Sequence, residues 1–196
     1  KAWVAQYLNN HDQACSVSRY GDDQEYRVES AKMLAVLTHL IPGTPFIYQG
    51  EEIGMSNCYF EDVEDYRDIF LLNRHQELCE EGVDSDEALA SLRFLSRDNA
   101  RTPMQWDTSK HAGFTQGTPW ISVNPRAKEI NVAQAEADPN SVLHFYRRLI
   151  ALRKQYDVMT WGDYQDITPN DDQLYCFTRG LEGVGFLIIS NTGKQE

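Results

Sequence analysis

No stretch of this chain concentrates lysine and arginine. Its 18 basic residues are scattered among 30 acidic ones, leaving a formal charge of −12 over 196 residues. Binding to a phosphate backbone needs a basic footprint, so nucleic acid is excluded as a partner. There is no apolar run approaching the ~18 residues of a membrane-spanning helix, so no membrane partner is expected. The longest, Met33 to Ile47, is broken by Thr38, His39, Pro42, Gly43 and Thr44. The four cysteines (Cys15, Cys58, Cys79, Cys176) lie far apart with no C-x-x-C. A chain of this length needs no stapling, so they read as reduced packing thiols of a cytoplasmic protein. The five histidines form no i, i+4 pair and no H-E-x-x-H, so no zinc site can be read. Repeats, low-complexity segments, an initiator methionine and a signal peptide are absent as well. The chain opens directly on a strand-like run at Lys1-Ala2-Trp3, and Ser190 to Glu196 follow a strand with no closing element. Both ends read as cut.

What is there has a clear order. Trp3 to Leu8 is a short apolar segment, consistent with a buried strand, and it runs into the polar cluster Asn9-Asn10-His11-Asp12-Gln13. Val28 to Leu40 predict a helix that is apolar nearly all round, stopped by Pro42-Gly43. Thr44 to Gly50 predict a second strand, again ending on polar residues, Glu51-Glu52. Strand, helix, strand, with a polar group at each strand's carboxyl end, is the pattern of a parallel sheet whose site lies at that end.

Further on, Asp62 to Glu81 predict an amphipathic helix with Tyr66, Ile69, Phe70, Asn73 and Leu78 near one face and Gly82 at its C′ position. Asp84 and Glu87 stand at capping-box spacing before a third helix through Leu95. Arg97 to Trp120 has no periodicity, and its Met104, Trp106, Phe114 and Trp120 predict a packed loop. Asp138-Pro139 predict the start of a helix reaching about Gln155. Leu174 to Thr178 and Val184 to Ser190 predict a hairpin turning at Gly180–Gly183, in an antiparallel domain entered near residue 157.

The polar clusters carry the chemistry. An aspartate after a histidine at a strand end is a structural loop residue as readily as a functional one. Arg97 and Arg101, four apart in an aromatic loop, could grip a carboxylate or sugar hydroxyls, and serve equally well as ion-paired scaffold. Glu51 and Glu52 are adjacent and point apart, so at most one can face a site.

Together these segments are more specific. Asn9 to Gln13, Gly43 to Met55, Tyr66-Arg67-Asp68, Arg97 to Asp107, Ala112 to Thr115, Pro119-Trp120 and Glu129 to Val132 strongly resemble the α-glucosidases of the α-amylase superfamily. The group in question holds oligo-1,6-glucosidases, dextran glucosidases and trehalose-6-phosphate hydrolases. The resemblance runs from the start to about residue 160 and more loosely to the end. It implies the C-terminal part of a (β/α)8 TIM barrel over residues 1–156, followed by a truncated antiparallel β-sandwich domain over 157–196.

It also implies retaining hydrolysis of α-1,6 or related glucosidic bonds in short oligosaccharides, with two carboxyl groups flanking the scissile bond. No segment here matches the family's nucleophile or its acid/base, which lie upstream. Asp12 matches its third carboxylate, which stabilises the positive charge of the transition state. His11 matches the neighbouring hydrogen-bond donor to the same glucose, and Arg97 matches an arginine that contacts the terminal glucose. Arg101 is taken as scaffold. The family's calcium site lies near the start of the parent chain, so neither metal nor cofactor is expected. Where the family usually has Pro-Arg after the Asn-His-Asp-Gln run, this chain has Ala14-Cys15, which puts the packing of that loop in question.

Two alternatives stand beside this reading: a trehalose-6-phosphate hydrolase, and a non-catalytic barrel relative serving as an interaction domain. Cut strands also predict self-association, unless the rest of the parent chain covers them.

Overall fold

The computed structural model describes residues 3–193, so the expectations attached to Lys1, Ala2 and 194–196 lie outside it. Strand β1 (Ala5–Gln6) leads to helices α1 (Ser16–Tyr20) and α2 (Arg27–Leu40). Strand β2 (Thr44–Pro45) then returns parallel to β1, with Ala5 opposite Thr44 and Gln6 opposite Pro45. This is the expected strand–helix–strand unit. Helix α2 stops because Ile41 precedes a proline and is forced into an extended conformation. Gly43 follows at φ +132°, and a Cβ there would stand 2.6 Å from the Val4 carbonyl. Only glycine lets the chain come close enough for the Thr44 N–H to donate to that carbonyl at 2.9 Å.

The expectation that Trp3 to Leu8 is a buried strand is corrected. Trp3, Val4, Tyr7, Phe46 and Ile47 are all exposed. Among the described residues β1 and β2 pair only with each other, so no barrel closes within this chain and their outward side chains stay in solvent.

The helix expected over Asp62–Glu81 is shorter. A 3-10 turn at Val63–Asp65 precedes α3 (Ile69–Glu80), which starts at Asp68 because that carboxylate accepts the Phe70 N–H at 3.1 Å. It ends as expected at Gly82 (φ +94°), with Gly82 N–H on the Cys79 carbonyl and Val83 N–H on that of Leu78, both at 3.0 Å. Its predicted face is wrong. Leu71 is buried against the Cys58–Tyr66–Leu89 cluster, whereas Ile69 and Phe70 are 68% and 72% exposed. Asp84 caps α4 (Ser85–Leu92) by accepting from the Asp86 and Glu87 N–H groups, as the spacing predicts.

Residues 93–131 form short 3-10 turns and loop. Of the side chains expected to pack this stretch only Met104 is buried; Trp106, Phe114 and Trp120 are exposed. Buried amides hold it instead. The Asn99 side chain donates to the Arg93 carbonyl at 2.9 Å, Asn124 to that of Ser56 at 2.8 Å and Asn131 to that of Ala127 at 2.9 Å.

Helices α5 (Val132–Ala137), α6 (Val142–Gln155) and α7 (Val158–Trp161) follow. Helix α6 begins later than Asp138-Pro139. Residues 138–141 make a turn, with the Ser141 N–H on the Asp138 carbonyl, and Ser141 supplies the cap. Strands β3 (Asp163–Asp166), β4 (Leu174–Leu181) and β5 (Val184–Asn191) form an antiparallel sheet in that order. The hairpin turns on Glu182 and Gly183 (φ +49° and +84°), a tighter turn than the four residues expected, and the two positive φ values match the twist of the strands. Strand β3 was not expected.

One apolar core joins α2, α6, α7 and the inner face of this sheet through Leu34, Ala35, Tyr146, Leu149, Met159, Phe177 and Ile188. Arg179 lies fully buried where these elements meet. Its Nη1 donates to the carbonyls of Leu40 (2.6 Å) and Met159 (2.9 Å), and its Nη2 to that of Gly162 (3.1 Å). Beside it the Arg153 guanidinium donates to the carbonyls of His39 and Gly43. Two cations thus satisfy the last carbonyls of α2, at the negative end of its dipole. Replacing Arg179 with methionine would strand several buried acceptors, each costing roughly 1–3 kcal/mol. We expect Arg179→Met to lower the stability read from urea denaturation by about 3 kcal/mol or more. A midpoint unchanged from wild type would mean that Arg179 is not a tie between helix and sheet.

Candidate functional site

The loop after β1 lies at the carboxyl end of the parallel pair. Its Asp12 N–H donates to the Asn10 side-chain oxygen at 2.8 Å, a local turn that lifts residues 11 and 12 to the surface. His11 Nε2 stands 3.1 Å from Asp12 Oδ2, and both side chains are more than half exposed. Arg101 reaches the same loop: its Nε donates to the His11 carbonyl and its Nη2 to Asp12 Oδ1, both at 2.8 Å. Arg101 was expected to be scaffold, and it is the residue that holds the Asp12 carboxylate.

Arg97 is fastened to a different aspartate. Its Nε and Nη2 donate to Asp68 Oδ1 at 2.9 and 2.5 Å, and its backbone N–H donates to Asp68 Oδ2 at 2.9 Å. Asp98, fully buried, returns the contact by accepting the N–H groups of Arg67 and Asp68 through Oδ2. Segments 67–68 and 97–98 are therefore locked reciprocally. The Asp68 carboxylate, by hydrogen bond and by charge, raises the Arg97 pKa, and the charges of Asp12 and Asp98 add to this. The Tyr48 hydroxyl, just beyond β2, donates to the Ala100 carbonyl at 3.0 Å and fixes the arginine-bearing turn against the parallel strands.

The structure thus brings His11, Asp12 and Arg101 into contact and places Arg97 nearby on Asp68. The sequence alone does not single out Asp68, although it lies in the Tyr66-Arg67-Asp68 segment; two arginines four apart call for two acceptors, and that is the available signal. The Ala14-Cys15 departure is accommodated. Both residues are buried, the Cys15 N–H donates to Asn57 Oδ1 at 3.0 Å and its thiol to the Asn99 carbonyl at 3.3 Å. Burial pushes the thiols of Cys15 and Cys58 up to about 12, so neither is a nucleophile near neutrality. Among the described residues no group of three or more metal-ligating side chains could hold an ion, and no helix is long and apolar enough to cross a membrane.

Comparison with known proteins bears on this geometry. Residues 1–162 match the family model for the α-amylase catalytic domain. The chain is 56% identical over 196 residues to an oligo-1,6-glucosidase of Parageobacillus thermoglucosidasius, covering all of this chain and 35% of that protein. It is 52% identical over 194 residues to a trehalose-6-phosphate hydrolase of Escherichia coli, covering 99% and 35%. Among solved structures, a trehalose-6-phosphate hydrolase of Bacillus licheniformis superposes with a TM-score of 0.94 at 48% identity, over 97% of this chain and 34% of the other. The chain therefore spans about a third of the length of these relatives.

The Arg97–Asp68 pair makes a prediction of its own. Burial works to raise the Asp68 pKa, but the hydrogen bonds from the Arg97 side chain and N–H, with the guanidinium charge, outweigh it and hold the carboxyl below its ordinary value. A depressed folded-state pKa contributes stability that is complete above the unfolded value of about 4 and is lost as pH falls through the folded one. Asp68→Asn should then be less stable than wild type at pH 7, with a gap that narrows on acidification. Urea denaturation at pH 7 and pH 3 reads this; a gap independent of pH would exclude the charged pair as its cause.

Proposed function

The chain belongs to the α-amylase family, and from that premise we propose that it is part of a retaining α-glucosidase acting on α-1,6 or related bonds of short oligosaccharides. In this reading residues 1–156 are the C-terminal part of a (β/α)8 catalytic barrel, and residues 157–196 begin an antiparallel C-terminal domain. The exposed outward face of the sheet, with Leu187 and Ile189, is what the second layer of a β-sandwich would cover. The nucleophile and the acid/base belong to the part of the parent chain that precedes this one, and the parent is a cytoplasmic enzyme.

The observation that carries the proposal is the Asp12 carboxylate at the carboxyl end of a parallel strand, clamped on one oxygen by Arg101. With Oδ1 committed to Arg101, the Oδ2–His11 Nε2 pair, 3.1 Å apart and more than half exposed, is the part of the site open to sugar hydroxyls. An ionised carboxylate fixed in this way opposes the charge that develops on the oxocarbenium-like transition state without having to reorganise. Arg97 has one edge held by Asp68 and is more than a third exposed, so it can donate to the terminal glucose. A trehalose-6-phosphate hydrolase is the second reading, favoured by the close superposition on such an enzyme.

In the intact enzyme, Asp12→Asn keeps the shape and removes the charge, and should lower kcat by ~10²-fold, about 3 kcal/mol. Arg97→Ala should act mainly on kcat/KM. The 196-residue chain alone should release no nitrophenol from a nitrophenyl α-glucoside above a buffer blank. Turnover by the isolated chain, or a normal kcat for the Asp12 variant, would refute these assignments.

The exposed strands give a separate expectation. Uncovered edges and apolar faces drive association between chains. The isolated chain should therefore elute as oligomers in size-exclusion chromatography with light scattering at micromolar concentration. A non-associating 22.5 kDa monomer with cooperative melting would overturn this.

A further inference from the structure

The loop that carries His11 and Asp12 is closed at its base by one side chain. Asn9 Oδ1 accepts the Ser16 N–H at 2.6 Å and Asn9 Nδ2 donates to Ser16 Oγ at 2.8 Å, so residues 9 and 16 are clipped together. The second Nδ2 proton goes to Glu51 Oε2 at 2.6 Å, across 42 residues of sequence. Asn9 and Ser16 are buried, and every polar valence of the Asn9 amide except one oxygen lone pair is spent in these three bonds. Glu51 follows Gly50, whose φ of +88° swings the chain away from β2, and its carboxyl also meets the Tyr146 hydroxyl of α6. The acid therefore links the end of β1, the end of β2 and the inner side of α6.

We propose that Glu51 is a positioning residue for Asp12, acting through Asn9 to fasten the base of the strand-end loop. The proposal rests on the glycosidase reading for its catalytic consequence, though not for the fastening itself. In the outer grip on the loop Arg101 is mostly covered but Asp12 is more than half exposed, and an ion pair open to solvent adds little stability on its own even where it orients the carboxylate. The inner grip is shielded, where a missing partner leaves a buried donor unsatisfied. Burial pushes the Glu51 carboxyl up to about 7, against the hydrogen bonds from Asn9 and the Tyr48 region, so near neutrality much of it is uncharged. An uncharged acceptor of the same shape, glutamine, should then serve almost as well, whereas an apolar side chain should not.

The test uses the intact parent protein with Glu51→Gln, Glu51→Leu, Asn9→Ala and the Asn9→Ala/Glu51→Leu double variant. Hydrogen–deuterium exchange read by mass spectrometry should rise about tenfold in peptides over residues 10–15 for Glu51→Leu. Exchange in α2 and β4 should be unchanged, and Glu51→Gln should match wild type. With a nitrophenyl α-glucoside, Glu51→Leu should lose at least tenfold in kcat with KM within about threefold. Glu51→Gln should keep kcat within about threefold, and the double variant should be no worse than the poorer single one. Wild-type exchange in Glu51→Leu, or a rise spread over the whole chain with a lowered Tm, would overturn the fastening. A loosened loop with normal kcat would overturn its effect on Asp12. A wild type that hydrolyses no glucoside would sink the functional reading and leave the exchange result to decide this one.

Discussion

Buried backbone outside helices and strands has to find hydrogen-bond partners elsewhere, and this constraint governs the middle of the molecule. Residues 41–68 and 93–131 are almost entirely turns and loop, yet Ser56, Asn57, Asp98, Asn99, Gln105, Asn124 and Asn131 within them are essentially inaccessible to water. Their short amide and carboxylate side chains stand in for the missing ladder. Asn57 accepts from the Cys15 N–H and donates to the Phe94 carbonyl, so one side chain ties the loop after β1 to the end of α4's extension. Asn99 does the same between Cys58 and Arg93. Apolar packing could not substitute for these side chains, because each would leave a donor or acceptor dry.

The same logic separates positioning from reach around Asp12. The two arginines of one short turn divide the work: Arg101 closes on a carboxylate of the strand-end loop, Arg97 on one that starts a helix. Because Asp98 in turn holds the backbone of residues 67 and 68, the guanidinium of Arg97 is aimed by a closed set of bonds rather than by its own flexible stem. Elsewhere in the core, the buried Arg179 and the half-buried Arg153 meet carbonyl dipoles instead of carboxylates. Burial lowers the pKa of both Arg179 and Arg153, the Arg153 charge lowers that of Arg179 further, and the carbonyls at the end of α2 compensate the two cations.

How far the sequence could be read depends on range. Helix α2, the parallel pair, the Asp84 cap, the Gly82 stop and the hairpin were legible because each is written in local periodicity or in one turn residue. Strand β3 was not, since Asp163-Tyr164-Gln165-Asp166 has no apolar alternation and is recruited by the edge of β4 through the backbone ladder and the Tyr164 contacts with Tyr175 and Phe177. The face of α3 was misread because its apolar residues outnumber those with anything to pack on. At the site, Asn9 to Asp12 and Arg97 were visible as a motif. The partners that hold them, Asp68 and Glu51, lie 29 and 42 residues away in sequence, where no local pattern reports a contact.

The distribution of thiols has a practical side. Cys15, Cys58 and Cys176 are buried, and the first two are held as neutral thiols, while Cys79 on α3 is only partly covered. A maleimide applied briefly near neutral pH will therefore find Cys79 first. Among the described cysteines Cys79 is the natural attachment point for a fluorophore or spin label, on a helix that packs on the Cys58–Leu89 cluster. A label there could report changes in the local mobility and environment of that helix without any cysteine being engineered in or out.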